Sequence, residues 1–278
     1  MRSLRLALLT LLAIATAAIF ATHVQAQPKK KVIKKTVSKS ISAKPMAPKK
    51  IAGTRVIVST DSGNMVIRLY DSTPLHRDNF IAKVKEGFYD SLLFHRVITG
   101  FMIQGGDPNS RYAQPGEMLG MGSAPGDRIP AEISPSLFHK KGVLAAARDN
   151  NPAKASSNCQ FYIVQGKKYS DQEIDMMGMQ GGKPVPAEQR LAYKTVGGTP
   201  MLDQNYTVYG EVEIGMKVVD KIASVPTAPG DRPISDVRMQ MKILSDAEFD
   251  TLWKKEQNNL KKISVLKATP KKTFKKKG

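Results

Sequence analysis

The chain has 278 residues, enough for one good-sized core or two small ones, and its hydrophobic share of 41% is that of a globular protein. The formal charge of +19 sits at the ends: residues 29–50 hold nine lysines and no acid, and residues 254–278 hold ten lysines against Glu256, whereas residues 51–253 carry 22 basic and 23 acidic side chains. This excludes a basic nucleic-acid-binding middle, and the single cysteine, Cys159, excludes an internal disulfide framework.

Residues 1–26 read as a signal peptide. Arg2 and Arg5 form a basic start, Leu6 to Ala21 is an apolar run broken only by Thr10 and Thr16, and Val24-Gln25-Ala26 is a cleavage site ending in a small residue. An uncleaved membrane anchor is the alternative, although the run is shorter than the ~20 residues of a spanning helix. Lys29, Lys30 and Lys31 follow it closely, and positive flanks favour the cytoplasmic side. Residues 27–53 are a Lys-, Pro-, Ser- and Ala-rich disordered linker. The expected setting is export, to the periplasm or beyond.

A folded domain is expected over residues 54–245. Arg55 to Thr60 and Met65 to Leu69 form a hairpin around Asp61-Ser62-Gly63-Asn64. Thr73 caps a helix with Pro74 in its first position and Gly87 at its end; Phe80, Ile81 and Val84 share one face. Short β-like segments follow at Phe94 to Val97, Phe101 to Gly105, Val143 to Ala147, Phe161 to Val164 and Tyr206 to Val212. Met216 to Ser224 is a second helix, and Val237, Met239, Met241 and Ile243 alternate as a half-buried last strand. Many short strands with two helices suggest a closed sheet, which leaves no edge strand.

Residues 167–200 interrupt this pattern as a helical insertion. Ser170 and Glu173 make a capping box for one helix, and Pro186 opens another. A C-terminal helix and basic tail occupy residues 246–278: Ser245 and Glu248 form a capping box, and Phe249, Leu252, Trp253 and Leu260 mark an apolar face. His23, His76, His95 and His139 are too scattered for a metal site, and no phosphate loop follows Gly105-Gly106.

The run Phe94-His95-Arg96-Val97-Ile98-Thr99-Gly100-Phe101-Met102-Ile103-Gln104-Gly105-Gly106-Asp107 resembles the cyclophilin signature nearly position for position. The resemblance extends over roughly residues 54–244 apart from the insertion. It implies a mainly β fold, a closed eight-stranded antiparallel β-barrel capped by two helices, whose site lies on the outer surface. It also implies peptidyl-prolyl cis/trans isomerase activity on proline-containing polypeptides, with no cofactor and no metal.

Residue by residue, the resemblance makes Arg96 the catalytic arginine. Phe101 and Met102 become walls of a proline slot, and Gln104 a ligand for the peptide backbone. Ala147 and Arg148 are implied to line the groove through backbone groups, and Gln160 to hydrogen-bond the substrate. Tyr162 stands where the family usually has phenylalanine and would floor the slot. Leu202 is another wall, Met201 stands where many members have tryptophan, and Tyr206 where they have histidine. The last two departures weaken the expectation of cyclosporin binding.

The chemistry suits these residues. Rotation about an Xaa-Pro bond is slowed by amide resonance, with a barrier of ~18–20 kcal/mol. Lowering it needs only a fixed donor and a slot that favours the twisted amide. Taken singly, Arg96 reads as a surface ion-pair residue and Phe101 and Met102 as core. Gly105-Gly106-Asp107 reads as structural and Cys159 as a small packed side chain. The alternative function is a non-catalytic polypeptide-binding chaperone, and the Lys-rich ends are either solvated tails or a tether to an anionic envelope surface. No specific nucleic-acid partner is expected, and a monomer is the default.

Overall fold

The computed structural model describes residues 52–268, with side chains through residue 262. The expected signal peptide, almost all of the linker and the last ten residues lie outside that range.

Eight strands pair antiparallel in one sheet: β1 (Arg55–Thr60), β2 (Gly63–Leu69), β3 (Phe94–Ile98), β4 (Met102–Gly105), β5 (Val143–Ala146), β6 (Phe161–Val164), β7 (Val208–Ile214) and β8 (Gln240–Leu244). Their spatial order is β3-β4-β6-β5-β7-β2-β1-β8. The sheet curls as a half-barrel around an apolar core. The β1–β2 hairpin turns tightly, with Thr60 paired to Gly63.

The last strand is shorter than its alternation suggests. Val237 and Met239 precede β8 and pair with the segment leading into β3: Phe94 N–H donates to Val237 O (2.9 Å), Met239 N–H to Leu92 O (2.9 Å) and Ser91 N–H to Met239 O (2.9 Å). The buried Val237, Met239 and Met241 keep the period of two through this change of partner. Tyr206 likewise lies outside its predicted strand, because β7 begins at Val208.

Two helices cover the core. In α1 (Pro74–Lys85), His76, Phe80 and Val84 are buried, with Ile81 partly buried beside them. Phe80 meets Phe161 and Tyr209 edge-on. Thr73 stands at the capping position with Pro74 after it, but its side chain makes no capping hydrogen bond. Instead Glu132, from a distant loop, accepts from the Leu75 and His76 amides (3.0 and 2.9 Å) and from His76 Nδ1 (2.7 Å). A carboxylate suits that position, because the first helical amides have no internal partner and carry partial positive charge. In α4 (Met216–Ile222), Val219 and Ile222 reach the same core. Fully burying such side chains contributes roughly 1.5–3 kcal/mol each.

Between β6 and β7 lie α2 (Asp171–Gln180) and α3 (Ala187–Thr195). The Ser170–Glu173 capping box is formed in both directions. Pro186 occupies the capping position, one residue before the helix, not its first turn. Tyr169, Ile174 and Tyr193 form a small apolar cluster of their own. The final helix, α5 (Asp246–Ala268), begins with the Ser245–Glu248 box. Buried Phe249 holds its base, with the Arg55 guanidinium 3.9 Å from its ring centroid and Trp253 packed beside it. Leu260 is 47% exposed, so the apolar face is covered only near the base.

Candidate active site

Successive residues of a strand point to opposite faces, and that alternation builds the site. On β4, β5 and β6, Ile103, Leu144, Ala146, Phe161 and Ile163 enter the main core. Their neighbours Met102, Val143, Ala145, Tyr162 and Val164 form a second apolar cluster with Ala147 and Val208. Phe101, Leu202 and Tyr206 pack onto it, half-buried. The register lines up Arg96 with Gln104, Gln104 with Tyr162, and Tyr162 with Ala145. A guanidinium, an amide and an aromatic ring therefore stand in one row across β3, β4 and β6.

A polar string runs beside this row. Arg96 Nε donates to Asp231 Oδ2 (3.3 Å) and Nη1 to Gln104 Oε1 (3.5 Å). Gln104 Nε2 donates to Gln160 Oε1 (3.1 Å), and Gln160 Nε2 donates to the carbonyls of Gly120 and Gly122 (3.0 and 2.7 Å). Both Gln160 donor hydrogens thus hold the 120–122 loop. The buried Asp107 carboxylate holds it too, accepting from the amides of Asn109 (2.8 Å), Gly120 (2.5 Å) and Gly122 (3.3 Å). Gly106 is obligatory before it: φ is +93°, and a Cβ would lie 2.2 Å from the Cys159 carbonyl oxygen.

This loop borders a cleft of about 510 Å³ lined by Gln104, Met121, Ala147, Arg148 and Gln160 among others. The Ala147 amide donates to Gln160 O (3.0 Å), and its carbonyl accepts from the Ser157 amide (2.8 Å). Arg148 Nε donates to Asn205 O (2.8 Å), and its guanidinium lies 4.7 Å from the Tyr206 ring centroid. Cys159 is buried, and burial raises its thiol pKa, which suits a packed side chain.

Tyr162 is 5% exposed, and burial holds its pKa well above the ordinary tyrosine value. Its hydroxyl meets His139 Nε2 at 2.9 Å. His139 Nδ1 and its backbone amide both reach Asp203 Oδ1 (2.9 and 2.8 Å), and the Tyr193 hydroxyl donates to Asp203 Oδ2 (2.5 Å). Tyr206 packs edge-on against both Tyr162 and His139.

A family model described as "Cyclophilin type peptidyl-prolyl cis-trans isomerase/CLD" matches residues 55–242. The chain belongs to the cyclophilin-type peptidyl-prolyl cis-trans isomerase family. A Staphylococcus aureus relative carrying the provisional name of a peptidyl-prolyl cis-trans isomerase is 36% identical over 186 residues, covering 66% of this chain and 87% of that one. A Streptococcus pyogenes relative, provisionally named a bifunctional phosphatase/peptidyl-prolyl cis-trans isomerase, is 38% identical over 190 residues. That alignment covers 66% of this chain and only 37% of the streptococcal protein. Among solved structures, a Cryptosporidium parvum cyclophilin-type isomerase in the presence of the dipeptide Ala-Pro shares the fold, with a TM-score of 0.52 at 23% identity, covering 69% of this chain and 99% of that chain.

In this cyclophilin the residues named from the sequence fall into two neighbouring groups. Arg96, Gln104 and Gln160 make the polar string, with Ala147 and Arg148 at its cleft. Phe101, Met102, Tyr162, Leu202 and Tyr206 share the second apolar cluster. Three polar residues were not read from the sequence. Asp203 follows Leu202 directly, and that adjacency was the available signal. Histidine spacing gives His139 no mark of its own, and Asp231 lies 135 residues from its partner Arg96 with no local mark.

Proposed function

We propose that this chain accelerates cis/trans isomerisation of Xaa-Pro bonds in exported polypeptides, with Arg96 as the catalytic donor. The observation that carries the assignment is the row of Arg96, Gln104 and Tyr162 beside an apolar cluster. The proline ring would rest against Phe101, Met102, Tyr162, Leu202 and Tyr206. As the amide twists, the prolyl nitrogen regains its lone pair, and a guanidinium that never loses its proton donates to it. Among the described residues Arg96 Nη2 has no protein partner, which leaves that nitrogen for substrate. Each ~1.4 kcal/mol of preference for the twisted state multiplies the rate tenfold. No proton transfer or covalent intermediate is required.

Further readings accompany this one. The hydrogen bonds between residues 91–94 and 237–239 support a sheet closed into a barrel, and α2 and α3 support an insertion on the family fold. The basic start and apolar run of residues 1–26 support export. The Lys-rich ends support a tether to an anionic surface, and one copy of the chain suffices for the site.

The test is exchange spectroscopy on an Ala-Pro peptide with the chain and its Arg96→Ala variant. Losing a positioned donor at a developing charge typically costs about 10²–10³ in rate. Fast exchange that collapses in the variant supports the assignment; exchange of equal speed in both removes it. A holding function is the second reading, favoured by Met118 and Met121, which are 90% and 88% exposed on the loop beside the cleft. Peptide binding without any acceleration would favour it.

A further inference from the structure

A tyrosine at the floor of an apolar slot brings a hydroxyl that must find a partner when buried. Here the partner is fixed by a buried polar chain. Asp203 accepts at Oδ1 from the His139 amide and from Nδ1–H, so the lone pair of Nε2 is left for the Tyr162 O–H. His139 is fully buried. The second carboxylate oxygen is held by Tyr193, a fully buried residue of α3. Asp203 adjoins Leu202, a wall of the same slot. The carboxylate of the residue beside the wall is thereby bonded both to the side chain that holds the floor and to a helix outside the sheet.

The packing around the chain is close. Thr199 N–H donates to His139 O (2.8 Å), and a Cβ on Gly198 would lie 2.2 Å from that oxygen and 2.7 Å from Tyr193 Cε1. Phe138 meets the Tyr193 ring edge-on at 5.6 Å. The ring planes of His139 and Tyr162 differ by only 11°. Sideways movement of the Tyr162 ring would break its bond to His139, whose other nitrogen and backbone are anchored.

We propose that His139 and Tyr193 are positioning residues for the proline slot, and that α3 braces the slot through Tyr193, Asp203, His139 and Tyr162. The proposal rests on the isomerase reading for its kinetic form. Neither residue touches the substrate; each acts by fixing where the Tyr162 ring stands. The effect therefore falls on binding of the proline ring, and Arg96, on the far side of Gln104, is left in place.

His139→Asn is the direct test. The shorter amide keeps a donor near the Nδ1 position for Asp203 and has no atom at Nε2, so it cuts only the Tyr162 bond. KM for an Ala-Pro peptide is expected to rise about 5- to 20-fold with kcat within about twofold, the range of one lost hydrogen bond. In a Tyr162→Phe background, where no hydroxyl needs a partner, the same change is expected to move KM less than twofold. A folded His139→Asn variant with unchanged KM overturns the proposal, and so does an equal loss in both backgrounds. If His139→Asn fails to fold, Tyr193→Phe replaces it. An approximately threefold rise in KM that vanishes with Tyr162→Phe supports the brace, and no rise, or the same rise in both, overturns it. Should the wild-type chain bind the peptide without accelerating exchange, the isomerase reading alone fails. The same variants are then judged by peptide Kd, with the same expected ratios and the same overturning outcomes.

Discussion

His95 offers a prediction with a magnitude and a sign. It precedes Arg96 on β3, is 3% exposed, and has no well-formed hydrogen bond on either ring nitrogen. Burial lowers its pKa from 6.5 to about 4; Asp107 opposes the shift, Arg96 and Arg232 reinforce it, and the Leu93 carbonyl gives weak help in the raising direction. Between those two values the unfolded chain binds a proton that the folded chain refuses. Stability therefore falls as pH drops below about 6.5 and levels off below about 4. A gap of about 2.5 pH units at about 1.36 kcal/mol per unit gives roughly 3 kcal/mol, a large part of a domain's usual 5–15 kcal/mol. Urea unfolding of the wild type and His95→Leu at pH 7, 6, 5 and 4 measures it. Other titrating groups are common to both proteins, so the difference between the two curves isolates His95. The wild type is expected to lose about 3 kcal/mol more than the variant from pH 7 to pH 4. Parallel curves would show that the folded chain accommodates the charged imidazole and would refute the reasoning.

Glu132→Ala removes the acceptor for two α1 amides and for His76, and should destabilise the chain by about 2–3 kcal/mol in urea while kcat of the folded fraction stays unchanged. Asp231→Asn should lower kcat/KM for an Ala-Pro peptide about two- to fivefold, because one holder of the Arg96 fork weakens. The pair is over 40% exposed on both sides and contributes under ~1 kcal/mol to stability, so the melting temperature should move little.

The alternation in Val237 to Ile243 marked the inward residues of the last segment, although it could not show that their hydrogen-bond partners change at Gln240. Glycine and proline marked the ends of α1, yet its N-terminal cap was invisible, because Glu132 lies 57 residues from Leu75 and is brought there by the tertiary fold. Local capping boxes at Ser170 and Ser245 were legible because both partners are three residues apart. The site divides in the same way. Arg96 to Gln104 is a contiguous run whose likeness to a family names its members together. Its supports, Asp231, His139 and Tyr193, come from three separate segments, and no spacing in the sequence joins them to the run.

These supports bear on how the catalyst should respond to acid. On the proposed mechanism the twisting amide exchanges no proton with the protein. The chemistry thus has no titrating group of its own, while the fold around it has several. His95 lies beside Arg96 in sequence and close beneath Gly120, where a Cβ would sit 3.6 Å from its Nε2. Gly120 is in turn held by Asp107 and Gln160. A proton on His95 would place positive charge near both Arg96 and Arg232, under the loop that borders the cleft. Acid should therefore reach activity through the fold first, with kcat of the surviving folded fraction staying level until the loop itself gives way.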